Sequence, residues 1–100
     1  MQRPAAIAAR VDVDQDDNNG VAPLYVAAQN NHANAAKLLI AARASLNKEN
    51  KDGWTPLLVA VSGCRVKVVT PLTDAKADLE KAGRHGQTPL WKAAFNKSLF

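Results

Sequence analysis

Apolar residues return along this 100-residue chain in short blocks at one fixed spacing. Leu24, Leu57 and Leu90 each open such a block. Each follows a proline (Pro23, Pro56, Pro89), and each lies four residues after a glycine (Gly20, Gly53, Gly86). The interval is 33 residues in both cases. Self-similarity at that distance predicts a stack of small units, each burying its apolar side against the next, in place of one shared centre.

The polar residues punctuate the blocks. Each period opens with a turn of Asn, Asp and Gly type: Asp17-Asn18-Asn19-Gly20, Asn50-Lys51-Asp52-Gly53 and Gly83-Arg84-His85-Gly86. These residues tolerate the left-handed backbone of tight turns. Thr55-Pro56 and Thr88-Pro89 then place a capping hydroxyl before a proline suited to the first helical position. Ala22-Pro23 keeps the proline without the cap, which predicts a helix start weaker by about 1 kcal/mol. First helices are expected over Leu24 to Asn30, Leu57 to Ser62 and Leu90 to Asn96. Paired small residues at Ala27-Ala28 and Ala93-Ala94 (Ala60-Val61 in the middle) suit close helix approach. Breaks fall at Asn30-Asn31 and Gly63-Cys64, with Asn31 and Gly63 expected to take the left-handed conformation. Second helices are expected over Ala33 to Ala42, with Leu38, Leu39 and Ile40 as the apolar face, and over Val66 to Ala75. Pro71 lies inside the latter, cannot donate to the Lys67 carbonyl and crowds it, so that helix is expected to bend, shorten or split near Thr70-Pro71. Loops Ala44 to Asn47 and Ala77 to Glu80 lead into the following turns. Read backward, Arg10 to Asp14 matches Arg43 to Asn47, and Pro4 to Ala9 falls on the second-helix positions. The predicted organisation is a single domain over 1–100: a partial repeat at 1–16, repeats at 17–49 and 50–82, and a truncated repeat at 83–100.

The segments Thr55 to Val61 and Thr88 to Ala94, with Ala22 to Ala28 as a copy that has lost its Thr, resemble the T-P-L-H-x-A-A signature of the ankyrin repeat. The resemblance covers nearly the whole chain. It implies an all-α, ankyrin-type helix-turn-helix repeat solenoid of two full repeats flanked by partial ones, with turns and first helices lining a concave face. It also implies a protein–protein interaction module without intrinsic catalysis. The family's usual contact positions map onto Asn18, Asn19 and Val21; Lys51, Asp52 and Trp54; Arg84, His85 and Gln87; and, on the first helices, Gln29, Ser62 and Phe95. Trp54 stands out among them, because an outward Trp buries much area at little entropic cost. The chain departs from the family in three places. Tyr25, Leu58 and Trp91 replace the His after Leu, and Tyr25 and Trp91 are expected to pack inward. Arg10, Arg43 and Lys76 stand where Gly usually ends the second helix. Pro71 is the third. His32 is expected to be the structural His common at the start of a second helix.

Composition adjusts this reading in two ways. There are 19 alanines against 23 Leu, Ile, Val and Phe together, so the helices pack closely over a thin core and marginal stability is expected. The net charge of +4 is uneven. The first twenty residues carry two cations and four carboxylates, leaving a surplus of six positive charges on the rest. Such an excess aids association with acidic partners or nucleic acid. Nucleic acid is the lesser expectation, since no two basic residues adjoin, and a spacer or regulatory segment of a larger protein is the other alternative. Cys64 is the sole cysteine, which forbids an internal disulfide and suits an intracellular, cytoplasmic or nuclear, setting. No apolar run is long enough to span a bilayer. Asp12, Asp14 and Asp16 alternate like a calcium loop but lack its later Gly and Glu, so no metal or cofactor is expected. Cys64, His32 and His85 have no partners in a catalytic arrangement.

Overall fold

A computed structural model of the chain describes residues 12–96. Those residues hold five helices and no strand: α1 Pro23–Gln29, α2 Ala33–Ala41, α3 Pro56–Ser62, α4 Val66–Asp74 and α5 Pro89–Phe95. Every bound lies within one residue of the sequence expectation. Residues 1–11 and 97–100, with the expected N-terminal helix positions and Arg10, lie outside the described residues.

Helix α1 packs on α3 and α3 on α5, forming an inner layer; α2 packs on α1 and on α4, and α4 on α3, forming an outer one. The interior is continuous along the stack. Leu24, Leu57, Val68 and Leu72 are at most 1% exposed, and Ala28, Ala36 and Ala60 between them are fully buried. Alanine lets the helices close up but removes little apolar area from water, so the few branched side chains carry most of the burial energy.

The helix starts follow their caps. Thr55 and Thr88 each accept a hydrogen bond at Oγ1, from the Leu58 and Trp91 amides, both at 3.1 Å. Ala22 offers none to α1. Between the helices of each pair the chain turns through a left-handed residue, Asn31 (φ 60°) and Cys64 (φ 59°). Gly63 is therefore not the left-handed residue; it ends α3 at φ −93° with its amide bonded to the Val59 carbonyl. The 33-residue register puts Cys64, not Gly63, opposite Asn31. Arg43 (φ 68°) and Lys76 (φ 74°) are left-handed after α2 and α4, as expected of the positions they occupy.

Two further expectations are corrected, and a third in part. Leu38 is 71% exposed and is no part of the buried face. At about 100° per residue it lies roughly opposite Ala36, whereas Leu39 and Ile40 come back toward Ala36 and pack against the core. Pro71 neither splits nor shortens its helix: α4 runs nine residues, as α2 does. Pro71 occupies the register of Leu38, on the outer side. Lys67, whose carbonyl Pro71 cannot serve, is an exposed residue, and the buried Val68 and Leu72 anchor the helix. His32 precedes α2 as an exposed residue and contributes through its backbone, with its amide donating to the Ala27 carbonyl at 2.9 Å.

Among the described residues, the apolar side of the stack at α5 is uncovered. A hollow of about 290 Å³ lies between α4 and α5, lined by Val66, Val69, Thr73, Leu79 and Leu90 among others. Leu90 is 56% exposed where its counterpart Leu57 is 1% exposed. Trp91 is likewise 48% exposed, against 7% for Tyr25 and 1% for Leu58, so it does not pack inward as expected. It stacks on Phe95, four residues on, with ring centroids 5.2 Å apart.

Candidate functional site

The turns are built by their own side chains. Asp17 accepts at Oδ1 from the amides of Asn19 (2.8 Å) and Val21 (3.0 Å). Asn50 does the same for Asp52 (2.9 Å) and Trp54 (3.0 Å). This is the reason Asn and Asp begin such turns. Successive tips are tied together: the Lys51 amide donates to the Asn19 carbonyl at 3.2 Å, and the Arg84 guanidinium donates to the Lys51 carbonyl. The tips approach closely because Gly20 and Gly53 have no Cβ; one built there would lie 3.3 Å from the Lys51 nitrogen and 3.2 Å from the Arg84 nitrogen. Both glycines are also left-handed, so the two demands coincide.

Behind the tips the loops interlock in the same way. Asp14 Oδ1 accepts from the Ser45 amide and Asn47 Oδ1 from the Asp78 amide, both at 2.8 Å. Asp14 is thus a structural acceptor between loops, and Asp12 accepts from the Asp14 amide within its own loop. The rim charges pair from one turn to the next: Lys48 with Asp16 (3.4 Å), Lys81 with Glu49 (2.8 Å) and Arg84 with Asp52 (4.0 Å). Glu49 also holds the Lys81 ammonium protonated above its ordinary range. Exposed pairs of this kind contribute little to stability, so they orient the rim more than they stabilise it.

Between the tips and the first helices runs a groove of about 370 Å³. Tyr25 and Gln29 of α1 form one wall, Val59 and Ser62 of α3 with Arg65 the other, and Asn50, Asp52 and Trp54 close it from the turn. Trp54 is half-buried, and the Lys92 ammonium lies 4.8 Å from its ring centroid. Tyr25 is buried beneath; burial first, then the Asp52 carboxylate, push its phenol above its ordinary pKa of 10.0, against a hydrogen bond with the Asn50 side chain. Arg65 reaches back to α1, its Nε donating to the Gln29 carbonyl at 3.3 Å. A second hollow of about 260 Å³ adjoins, bounded by Ser62, Lys92, Phe95 and Asn96. Asn96 there donates to the Val61 and Ser62 carbonyls at 3.4 and 3.5 Å.

Of the residues nominated from sequence, Gln29, Asp52, Trp54 and Ser62 meet in the main groove. Ser62 and Phe95 share the adjoining hollow, and Phe95 is 74% exposed. Arg84, His85 and Gln87 meet Trp54 and Lys92 at a narrow crevice beside it. Lys51 is exposed on its tip. Asn18 and Asn19 are exposed and Val21 half-buried at the first tip, and none of the three lines the groove. The sequence reading missed Tyr25, Asn50, Arg65 and Lys92. Arg65 stands 33 residues after His32, so the register alone could have brought it forward. Among the described residues no cluster of His, Cys, Asp and Glu could hold a metal, and no helix is long and apolar enough to cross a membrane. The arrangement offers contact, hydrogen bonding and charge.

A family described as ankyrin repeats, in three copies, matches residues 5–83. Among solved structures, the chain is similar to an ankyrin repeat domain from Acinetobacter baumannii AYE, at 32% identity and a TM-score of 0.81. That match covers 85% of this chain and 46% of the other, so this chain spans about half its length. No curated protein matches.

Proposed function

This chain belongs to the ankyrin-repeat family, and from that premise we propose that it binds another protein through the groove between its turn tips and first helices. Ankyrin repeats are generally protein-interaction modules. The observation that carries the reading is Trp54. It is a half-buried indole at the mouth of a groove of about 370 Å³, braced by Lys92 and joined in one surface by Gln29, Asp52 and Ser62. A rigid aromatic held at the centre of a polar rim is the usual anatomy of a binding hot spot.

Site-specific photo-crosslinking tests it. A crosslinker at Ser62, in the groove, should capture a discrete partner protein, and one at Lys37, on the outer layer, should not. Trp54→Ala should weaken that complex by about 2 kcal/mol. Capture from Lys37 but not Ser62, or an undiminished affinity for the Trp54→Ala chain, would overturn the proposal.

A further inference from the structure

We propose, resting on the reading of the groove as a protein-binding surface, that its occupant is an acidic segment of the partner: carboxylates held by Lys92 and Arg65, an apolar side chain laid against Trp54. The charge balance of the groove carries this. On the rim, Lys48, Lys81 and Arg84 each face a carboxylate of the neighbouring turn. Inside, the pattern changes. Asp52 is the single carboxylate lining the groove and its two adjoining hollows, and it faces Arg84. Lys92 and Arg65 line the same space, and among the described residues neither has a carboxylate within ion-pair distance. Both are half-buried and held in place, Lys92 over the Trp54 ring and Arg65 by its Nε–H bond to the Gln29 carbonyl. The ring takes one side of the ammonium, and the carbonyl takes one of the five guanidinium donors, which leaves the planar fork for a carboxylate.

The occupant is also apolar in part. Trp54, Val59 and Phe95 give the surface an aromatic and aliphatic component that a purely ionic ligand would leave wet. A peptide with carboxylates flanking a large apolar side chain satisfies both. Nucleic acid fits less well. Its affinity rests on neutralising many phosphates, about six to ten for a strong binder, and this groove offers two spare cations beside the Asp52 carboxylate.

The test uses the whole 100-residue chain and two labelled peptides, one with Glu on both sides of a central Phe, the other with Gln in place of every Glu. The Glu peptide should bind more than about tenfold tighter by fluorescence anisotropy, with the margin shrinking as salt rises. Lys92→Met and Arg65→Met keep the apolar stems. Each should lose about fivefold for the Glu peptide and clearly less for the Gln peptide, so that the margin between the two narrows, and Lys92→Arg should restore it. Circular dichroism confirms that the variants fold. Equal affinity for the two peptides overturns the proposal, as does indifference to Lys92→Met and Arg65→Met. A single-stranded oligonucleotide that binds more tightly than the Glu peptide overturns it too. If Ser62 captures a partner while the peptides are not distinguished, the acidic chemistry fails and the groove stands as a protein-binding surface. If Ser62 captures nothing, the underlying reading fails.

Discussion

Arg43 and Lys76 each hold a side chain in a backbone conformation suited to glycine, with φ near 70° at the end of a second helix. For an L-residue that conformation costs on the order of 1 kcal/mol. Arg43→Gly and Lys76→Gly should each stabilise the chain by up to about 1 kcal/mol, the gain being trimmed by glycine's freedom in the unfolded state. Urea denaturation of the two variants checks it, and a loss of stability would contradict it. Tyr25 makes a second prediction. Its folded-state pKa is raised, chiefly by burial, so the folded chain holds the phenol proton more tightly than the unfolded chain does. The sign follows: this contribution is complete below pH 10.0 and is lost as pH climbs through the folded value. Tyr25 is the single tyrosine, so its absorbance titration should come at higher pH in buffer than in urea, and Tyr25→Phe should flatten the alkaline fall in stability.

At the scale of the helix, the starts differ by one hydroxyl. Thr55 and Thr88 cap α3 and α5, and Ala22 leaves α1 uncapped. Ala22→Thr should stabilise α1 by about 1 kcal/mol, read as slower amide exchange in residues 24–28. The space exists in principle, since Thr55 fits the same register while only 1% exposed. The helices were legible because proline, glycine and Thr mark their ends by local chemistry. Their rotation was not. Leu38, Leu39 and Ile40 are equally apolar in composition, yet the small Ala36 decides which side faces inward, and that depends on α4 lying across it. Pro71 misled for the same reason: whether a helix runs on through a proline depends on the packing that holds it, here the buried Val68 and Leu72, and not on the local sequence alone. In the groove, Trp54 announced itself by type and position. Lys92 and Arg65 did not, because their role comes from Trp54 and Gln29, which lie 38 and 36 residues away in the chain.

Across the whole molecule, one motif residue has two energetic weights. Leu57 is 1% exposed between neighbouring helices and Leu90 is 56% exposed at the open hollow. Leu57→Ala should cost about 3 kcal/mol, the loss typical of a buried leucine, and Leu90→Ala no more than about 0.5 kcal/mol. Equal losses in matched urea melts would mean that the hollow is covered in solution. The difference follows from nearest-neighbour stacking, in which a side chain is worth what the adjoining helices make of it. The same arithmetic gives the hollow a use. Asn96 stands 33 residues after Gly63, so grafting the stretch 64–82 behind it carries the register onward without a seam. The molecule is therefore modular in the builder's sense: lengthened at that end by whole periods, it would gain reach one step at a time and keep the existing groove untouched.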